Sequence, residues 1–175
     1  MTKFLLAVLL CGQAAFGAKP TAISDAARLF DSVKKNILRS AESLPAENYG
    51  FTPVPEVMSW AQMLAHVADT QIRVCTRIRS SKLQPNISEK LKSRNPVTKD
   101  SLLEDVKASF AVCEAALESL TEESAAKTID LGNQSTTRIG AINFVISHNS
   151  EHYGNLVTYM RLMGLVPPST APQRN

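Results

Sequence analysis

The sequence predicts an all-α protein, a four-helix bundle, and three observations support that fold class. Apolar residues recur at spacings of three and four in four separate segments, which is the pattern of amphipathic helices. Proline-containing stretches and glycines separate these segments. No segment alternates apolar and polar residues strongly enough to predict a strand. Four helices with one apolar face each can bury those faces only against one another.

Length and composition predict one ordinary globular domain. The chain has 175 residues, of which 44% are hydrophobic and 20% charged, and its net charge is +3. A chain of this length forms a single core. Because the net charge is small, no basic surface for nucleic acid is implied, and we expect no nucleic-acid partner.

The N-terminal segment has the layout of a secretory signal peptide. Lys3 precedes an apolar run from Phe4 to Cys11, and small residues follow up to Gly17. The run is far shorter than the roughly 20 apolar residues that span a bilayer, so we expect no stable membrane anchor. We therefore predict a signal peptide over 1–17, a bundle domain over 18–175, and an exported protein, periplasmic or secreted.

The first two helices are predicted from periodicity and caps. One helix starts near Ile23 and ends before Pro45, with apolar positions Ala27, Phe30, Val33, Ile37, Ala41 and Leu44. Ser59, with Gln62 three positions later, forms a capping box that starts a second helix at Trp60. Its apolar stripe is Trp60, Leu64, Val67, Ala68, Cys75 and Ile78.

The third and fourth helices follow a long connection. The polar stretch Arg79–Lys99 is longer than a tight antiparallel turn needs. It can cross the bundle end and leave the second and third helices parallel, which gives up-down-down-up order. Ser101 and Glu104 predict a capping box at the third helix. The fourth helix is expected from about Arg138 to Met163, ended by Gly164.

All three histidines of the chain lie on predicted helices, His66 on the second and His148 and His152 on the fourth. Residues four apart differ by about 40° and about 6 Å, so both imidazoles of the fourth helix project from one face. Metal sites of bundles form between facing helices. Three imidazoles suit several first-row metals and leave coordination positions open. The alternative is three hydrogen-bonded core histidines, each costly to bury without a partner.

Four more polar residues lie near this face. Glu151, next to His152, is a candidate general base or an acceptor for a ligand N–H, or else a solvated carboxylate. Asn149, Asn155 and Tyr159 are candidate pocket residues or ordinary bundle packing.

Two cysteines of the predicted bundle lie at similar depths along their helices. Cys75 is about 15 residues into the second helix and Cys113 about 12 into the third, so parallel helices would place them at nearly the same height. A disulfide and two reduced core thiols both fit this placement.

Two stretches carry a resemblance to a known family. The segment Phe51–Asp69, which includes Trp60 and His66, and the segment His148–Arg161, with its H-N-S-E-H string, resemble the DinB-like family of metal-binding bundles. The resemblance implies an up-down-down-up four-helix bundle with a divalent ion held by one histidine of the second helix and two of the fourth. These positions correspond to His66, His148 and His152.

The resemblance also implies a class of chemistry. Family members are often assigned as thiol-dependent S-transferases or hydrolases, in which the metal lowers the pKa of a bound thiol or water. Small thiols are chiefly cytosolic, so export favours hydrolysis. We predict a metal-dependent hydrolase or transferase of a small-molecule substrate, with zinc, nickel or iron as the ion. A non-catalytic metal- or ligand-binding bundle is the alternative, a purely structural bundle is a third, and a homodimer is left open.

Overall fold

Four long α-helices dominate the computed structural model, which describes residues 19–79, 98–132 and 134–171. The long helices are α1 (Ala22–Ser43), α2 (Trp60–Ile78), α3 (Lys99–Glu118) and α4 (Arg138–Leu162). The all-α fold class is confirmed. The predicted signal peptide over 1–17 and residues 80–97 of the predicted crossover lie outside the described residues.

Side-chain caps fix where the helices begin. Ser59 and Gln62 form the predicted capping box of α2, because each side chain satisfies a backbone N–H that the first helical turn leaves free. The predicted box of Ser101 and Glu104 is wrong. Thr98 is the N-cap of α3 and its hydroxyl accepts from the Ser101 N–H, so α3 begins three residues earlier than that box would place it.

Contacts between helices define an up-down-down-up order. The ammonium of Lys99, at the start of α3, donates to the carbonyls of Glu42 and Leu44 at the end of α1, at 2.7 Å each, so these two helices are antiparallel. The Tyr159 hydroxyl, late in α4, donates to the Met58 carbonyl just before α2 at 2.9 Å, so α2 and α4 are antiparallel as well.

A disulfide joins α2 to α3 near the C-terminal ends of both helices. Cys75 and Cys113 are bonded, with their Cα atoms 5.0 Å apart and both side chains fully buried. Both cysteines lie in the last two turns of their helices, as expected when α2 and α3 run side by side in the same direction. The structure therefore selects the disulfide over two reduced thiols.

A short β-hairpin precedes α4, and here the expectation of no strands is wrong. Strands β1 (Thr128–Asp130) and β2 (Ser135–Thr137) pair antiparallel, with Ile129 opposite Thr136. Arg77, near the end of α2, donates to the Asp130 carbonyl at 2.8 Å. The hairpin thus closes one end of the bundle and leads directly into α4.

The core lies between the four helices, and α2 is buried on most of its surface. Phe30 of α1 and Phe110 of α3 meet edge to face with ring centroids 5.7 Å apart, an arrangement that aromatic pairs favour. The largest fully buried side chains are Trp60, Phe30, Phe110, Ile37, Leu44, Leu64, Ile78, Leu102, Ile142, Leu156 and Met160. Within the described ranges, none of the helices combines the length and hydropathy that crossing a bilayer requires.

Candidate metal centre

The three histidines meet between α2 and α4. The Nε2 atom of His148 is 3.0 Å from Nε2 of His66 and 3.2 Å from Nε2 of His152. The ring centroids are 4.4 to 4.9 Å apart. His152 is buried, and the other two rings are half-buried. The three side chains form the one group of potential ligands able to hold a metal ion among the residues that the structure describes.

The register of α4 explains this convergence. The Thr137 hydroxyl accepts from the Gly140 N–H and fixes the start of the helix, and buried Ile142, Val145 and Leu156 fix its rotation against the core. Residues 148 and 152 then share the face directed at α2. His66 lies on α2 about one and a half turns after its capping box, which places it at the same level.

Three imidazoles in this arrangement cannot satisfy one another by hydrogen bonding. Each Nε2 has a single in-plane position, which holds either a proton or a lone pair. The Nε2 of His148 faces two other Nε2 atoms, so it can make at most one good hydrogen bond. A cation placed between three lone pairs satisfies all of them at once.

The protonation state also suits metal ligands. Burial, with smaller contributions from His152 and His66, lowers the pKa of the His148 imidazole to about 4, and a weaker interaction with the Asn149 side chain acts in the opposite direction. Burial and then the His66 ring lower the pKa of His152, and the nearby Glu151 carboxylate acts in the opposite direction. Both rings of α4 are therefore neutral near pH 7, and a neutral imidazole is the form that binds metals.

The distances fit an ion without selecting one. With metal–nitrogen bonds of about 2.0 to 2.1 Å, neighbouring ligand nitrogens lie about 3.4 Å apart in a tetrahedron and about 2.9 Å apart in an octahedron. The observed 3.0 and 3.2 Å fall between these values. Within the described residues the Nδ1 atoms of His148 and His152 are buried without a hydrogen-bond partner, although bound histidines usually donate from this atom to an acceptor.

The other four predicted site residues lie in different environments around the histidines. Glu151 is exposed beside His152. Asn149 is fully buried next to His148 and close enough to act on the pKa of that imidazole, although its amide atoms make no hydrogen bond of good geometry within the described residues; Asn155 is exposed. The Tyr159 hydroxyl is bonded to the Met58 carbonyl, which gives this side chain a packing role.

Two further residues flank the histidines, and the sequence did not indicate that either belongs to the site. The Phe144 ring lies 5.9 Å from the His148 ring and is 37% exposed. Arg73, exposed on α2, is close enough for its charge to be the smallest of the contributions to the lowered pKa of His148, after burial and the other two histidines. Phe144 lies one helical turn before His148, and Arg73 lies two turns after His66. These spacings would have indicated both residues only if the register between α2 and α4 had been known.

Fold and site together define a class of protein, the up-down-down-up four-helix bundle with a triad of histidines between its second and fourth helices. A family model of the DinB superfamily matches residues 29–156. The chain belongs to the DinB superfamily, and the resemblance noted in the sequence is confirmed.

Solved structures with the same fold are similar to this chain at low sequence identity. A DinB-like protein from Bacillus subtilis is 20% identical with a TM-score of 0.62, over 80% of this chain and 92% of that one. A DinB-like protein from Bacillus cereus is 15% identical with a TM-score of 0.68, over 83% and 95%. A mycothiol-dependent maleylpyruvate isomerase is 14% identical with a TM-score of 0.65, over 79% of this chain but only 63% of that one. No curated protein matches the chain.

Proposed function

We propose that this chain is an exported metalloprotein that binds a divalent ion through His66, His148 and His152 and acts as a metal-dependent hydrolase or transferase of a small molecule. The single observation that carries the proposal is the convergence of three Nε2 atoms, two of their separations being 3.0 and 3.2 Å. Zinc, nickel and iron all suit three imidazoles, and the supply of metal decides between them.

The ion and the chain would have separate roles in the reaction. A bound divalent ion lowers the pKa of a coordinated water or thiol and so supplies a nucleophile near neutral pH. The three imidazoles would hold the ion. Glu151 is exposed beside His152, where its carboxylate is available to accept a proton. We assign it the role of general base.

Two observations support export, and export in turn favours hydrolysis over thiol transfer. The Cys75–Cys113 disulfide is of a kind that persists in oxidising compartments and is rare in the cytosol. The sequence of residues 1–17 has the layout of a signal peptide. Hydrolysis needs no thiol co-substrate, whereas the similar isomerase is described as mycothiol-dependent. A thiol transferase remains the alternative reaction of the same site.

Element analysis of protein purified without an affinity tag tests metal binding. We expect about one ion per chain in the wild type and a large loss in His148→Ala, with the helical signal in circular dichroism retained. Asn155→Ala, an exposed change on the same helix, is the matched control and should keep the ion. A wild-type chain without stoichiometric metal would refute the proposal.

Turnover is tested separately with metal-loaded protein. A panel of esters, amides and electrophile–thiol pairs distinguishes hydrolysis from thiol transfer. Glu151→Gln should keep the ion and lower kcat by about 100-fold or more, the usual contribution of a general base.

A non-catalytic metal- or ligand-binding bundle is the second candidate. It is favoured by the buried Nδ1 atom of His152, for which no residue in the described part of the chain provides the acceptor that tunes many catalytic sites. Full metal content with no turnover across the panel would select it.

A further inference from the structure

An exposed guanidinium lies beside the candidate metal centre and has no partner there. Arg73 follows His66 by seven residues, two turns of α2, so the two side chains share one face of the helix. The Cα–Cβ bond of a helical residue tilts toward the N-terminus, which directs Arg73 toward His66. No hydrogen bond or ion pair joins Arg73 to any residue over 19–79, 98–132 and 134–171.

A partly exposed aromatic ring lies on the same side of the histidines. Because α2 and α4 are antiparallel, moving from His66 toward Arg73 corresponds to moving from His148 back toward Phe144. The Phe144 ring is 5.9 Å from the His148 ring at an interplanar angle of 36°. Its exposed fraction of 37% is high for a phenylalanine, and it leaves an apolar surface at the edge of the site.

Charged side chains lie on both sides of the histidines along α2 and α4. Arg73 marks the end toward the C-terminus of α2. Glu151, which is exposed and close enough to His152 to affect its pKa, lies on the turn of α4 farther from Phe144. A ligand placed across the histidines therefore meets Arg73 and the Phe144 ring toward one end and the Glu151 carboxylate toward the other. Asp69, half-buried on α2 between His66 and Arg73, already has an interaction of its own.

We propose that Arg73 and Phe144 form the substrate-recognition end of the site and select small molecules that carry a carboxylate next to an apolar or aromatic group. The inference rests on the proposed function, because the susceptible bond of such a molecule would lie over the three histidines. A guanidinium binds a carboxylate through paired N–H donors, and the Phe144 ring contacts the apolar part. This arrangement leaves the end near Glu151 for proton transfer.

Binding of a simple probe pair tests the inference without turnover. We would titrate zinc-loaded protein with 3-phenylpropionate and with its neutral amide, 3-phenylpropionamide, by isothermal calorimetry. The wild type should bind the carboxylate about tenfold more tightly, as expected for a hydrogen-bonded charge. Arg73→Gln should reduce this ratio to near one.

Two matched variants distinguish the effect of the Arg73 charge from the effect of the apolar contact with Phe144. Arg161→Gln removes an exposed arginine of α4 that lies nine residues after His152, on the opposite face, and should keep the tenfold ratio. Phe144→Ala should weaken both probes about fivefold and leave their ratio unchanged.

Three results would overturn the inference. A carboxylate preference that survives in Arg73→Gln would mean that the ion alone holds the carboxylate. Equal binding of the two probes to the wild type, or no measurable binding of either, would equally exclude a carboxylate-selective site. Metal content measured on each sample, and the same titrations on metal-free protein, distinguish this failure from the failure of the proposed metal site.

Discussion

Reducing the disulfide between α2 and α3 should destabilise the protein by about 4 kcal/mol. Cys75 and Cys113 are separated by 38 positions. In the chain-entropy treatment, closing a loop of this length removes about 13 cal/mol/K from the unfolded ensemble, which is about 4 kcal/mol at 25 °C. For a domain of this size that corresponds to a fall in Tm of about 8 to 16 °C.

Urea unfolding with and without a thiol reductant measures this difference. The double variant Cys75→Ala/Cys113→Ala is the matched control, because it lacks the bond and its stability should not respond to the reductant. Comparison of the reduced wild type with the double variant then separates the effect of the bond from the loss of packing at two buried side chains.

Thiol titration of unfolded, unreduced protein provides the decisive check. The absence of free thiol at positions 75 and 113 is expected. Two titratable thiols there, or a wild type whose unfolding midpoint is the same with and without reductant, would refute the reasoning, and would also remove the support that the bond gives to export.

Three further predictions concern the metal, a buried tyrosine and a helix end. Zinc at 100 times its Kd should stabilise the wild type by about 2.7 kcal/mol and leave His148→Ala unchanged; equal stabilisation of both in thermal melts would contradict a shared site. Burial, then Asp100 and Glu42, raise the pKa of Tyr49 to about 12, above the value of 10 for an unfolded chain. The stability that the protonated Tyr49 hydroxyl contributes is therefore intact below pH 10, and the free energy of unfolding falls by up to about 2.7 kcal/mol between pH 10 and 12. Tyr49→Phe loses the 2.7 Å hydrogen bond to the Ala41 carbonyl and about 1 kcal/mol at pH 7, but its stability should decline less steeply over that alkaline range; an identical decline would exclude this titration. Gly164→Ala should cost about 1 to 2 kcal/mol in urea unfolding, because φ is +73° there, and an unchanged midpoint would show that the turn rearranges freely.

The long helices could be predicted from the sequence because each has a strong local signal. Periodicity and the capping residues Ser59 and Gln62 placed α2 correctly. The start of α3 was misplaced because Thr98 and Ser101 are both good N-caps, and the sequence does not show which hydroxyl lies outside the first turn. Strands β1 and β2 were missed because each has three residues, too few for an alternating pattern to be visible.

The histidine cluster could be predicted only in part. The spacing of His148 and His152 placed two rings on one face, and the topology brought His66 opposite them. The roles of Arg73 and Phe144 depend on the vertical register between α2 and α4, and packing across the bundle sets this register. Asn155 is on the same helix as His148 and His152 and yet is exposed, which again depends on how α4 packs against its neighbours and not on the local sequence.

His66 and His148 are 82 positions apart, so neither half of the polypeptide carries a complete set of ligands. If the three histidines bind an ion as proposed, all of its ligands come together only after the last helix has docked beside the second. On the proposed function, metal uptake would then follow docking of the last helix, and the compartment in which the chain completes folding would determine which ion it meets.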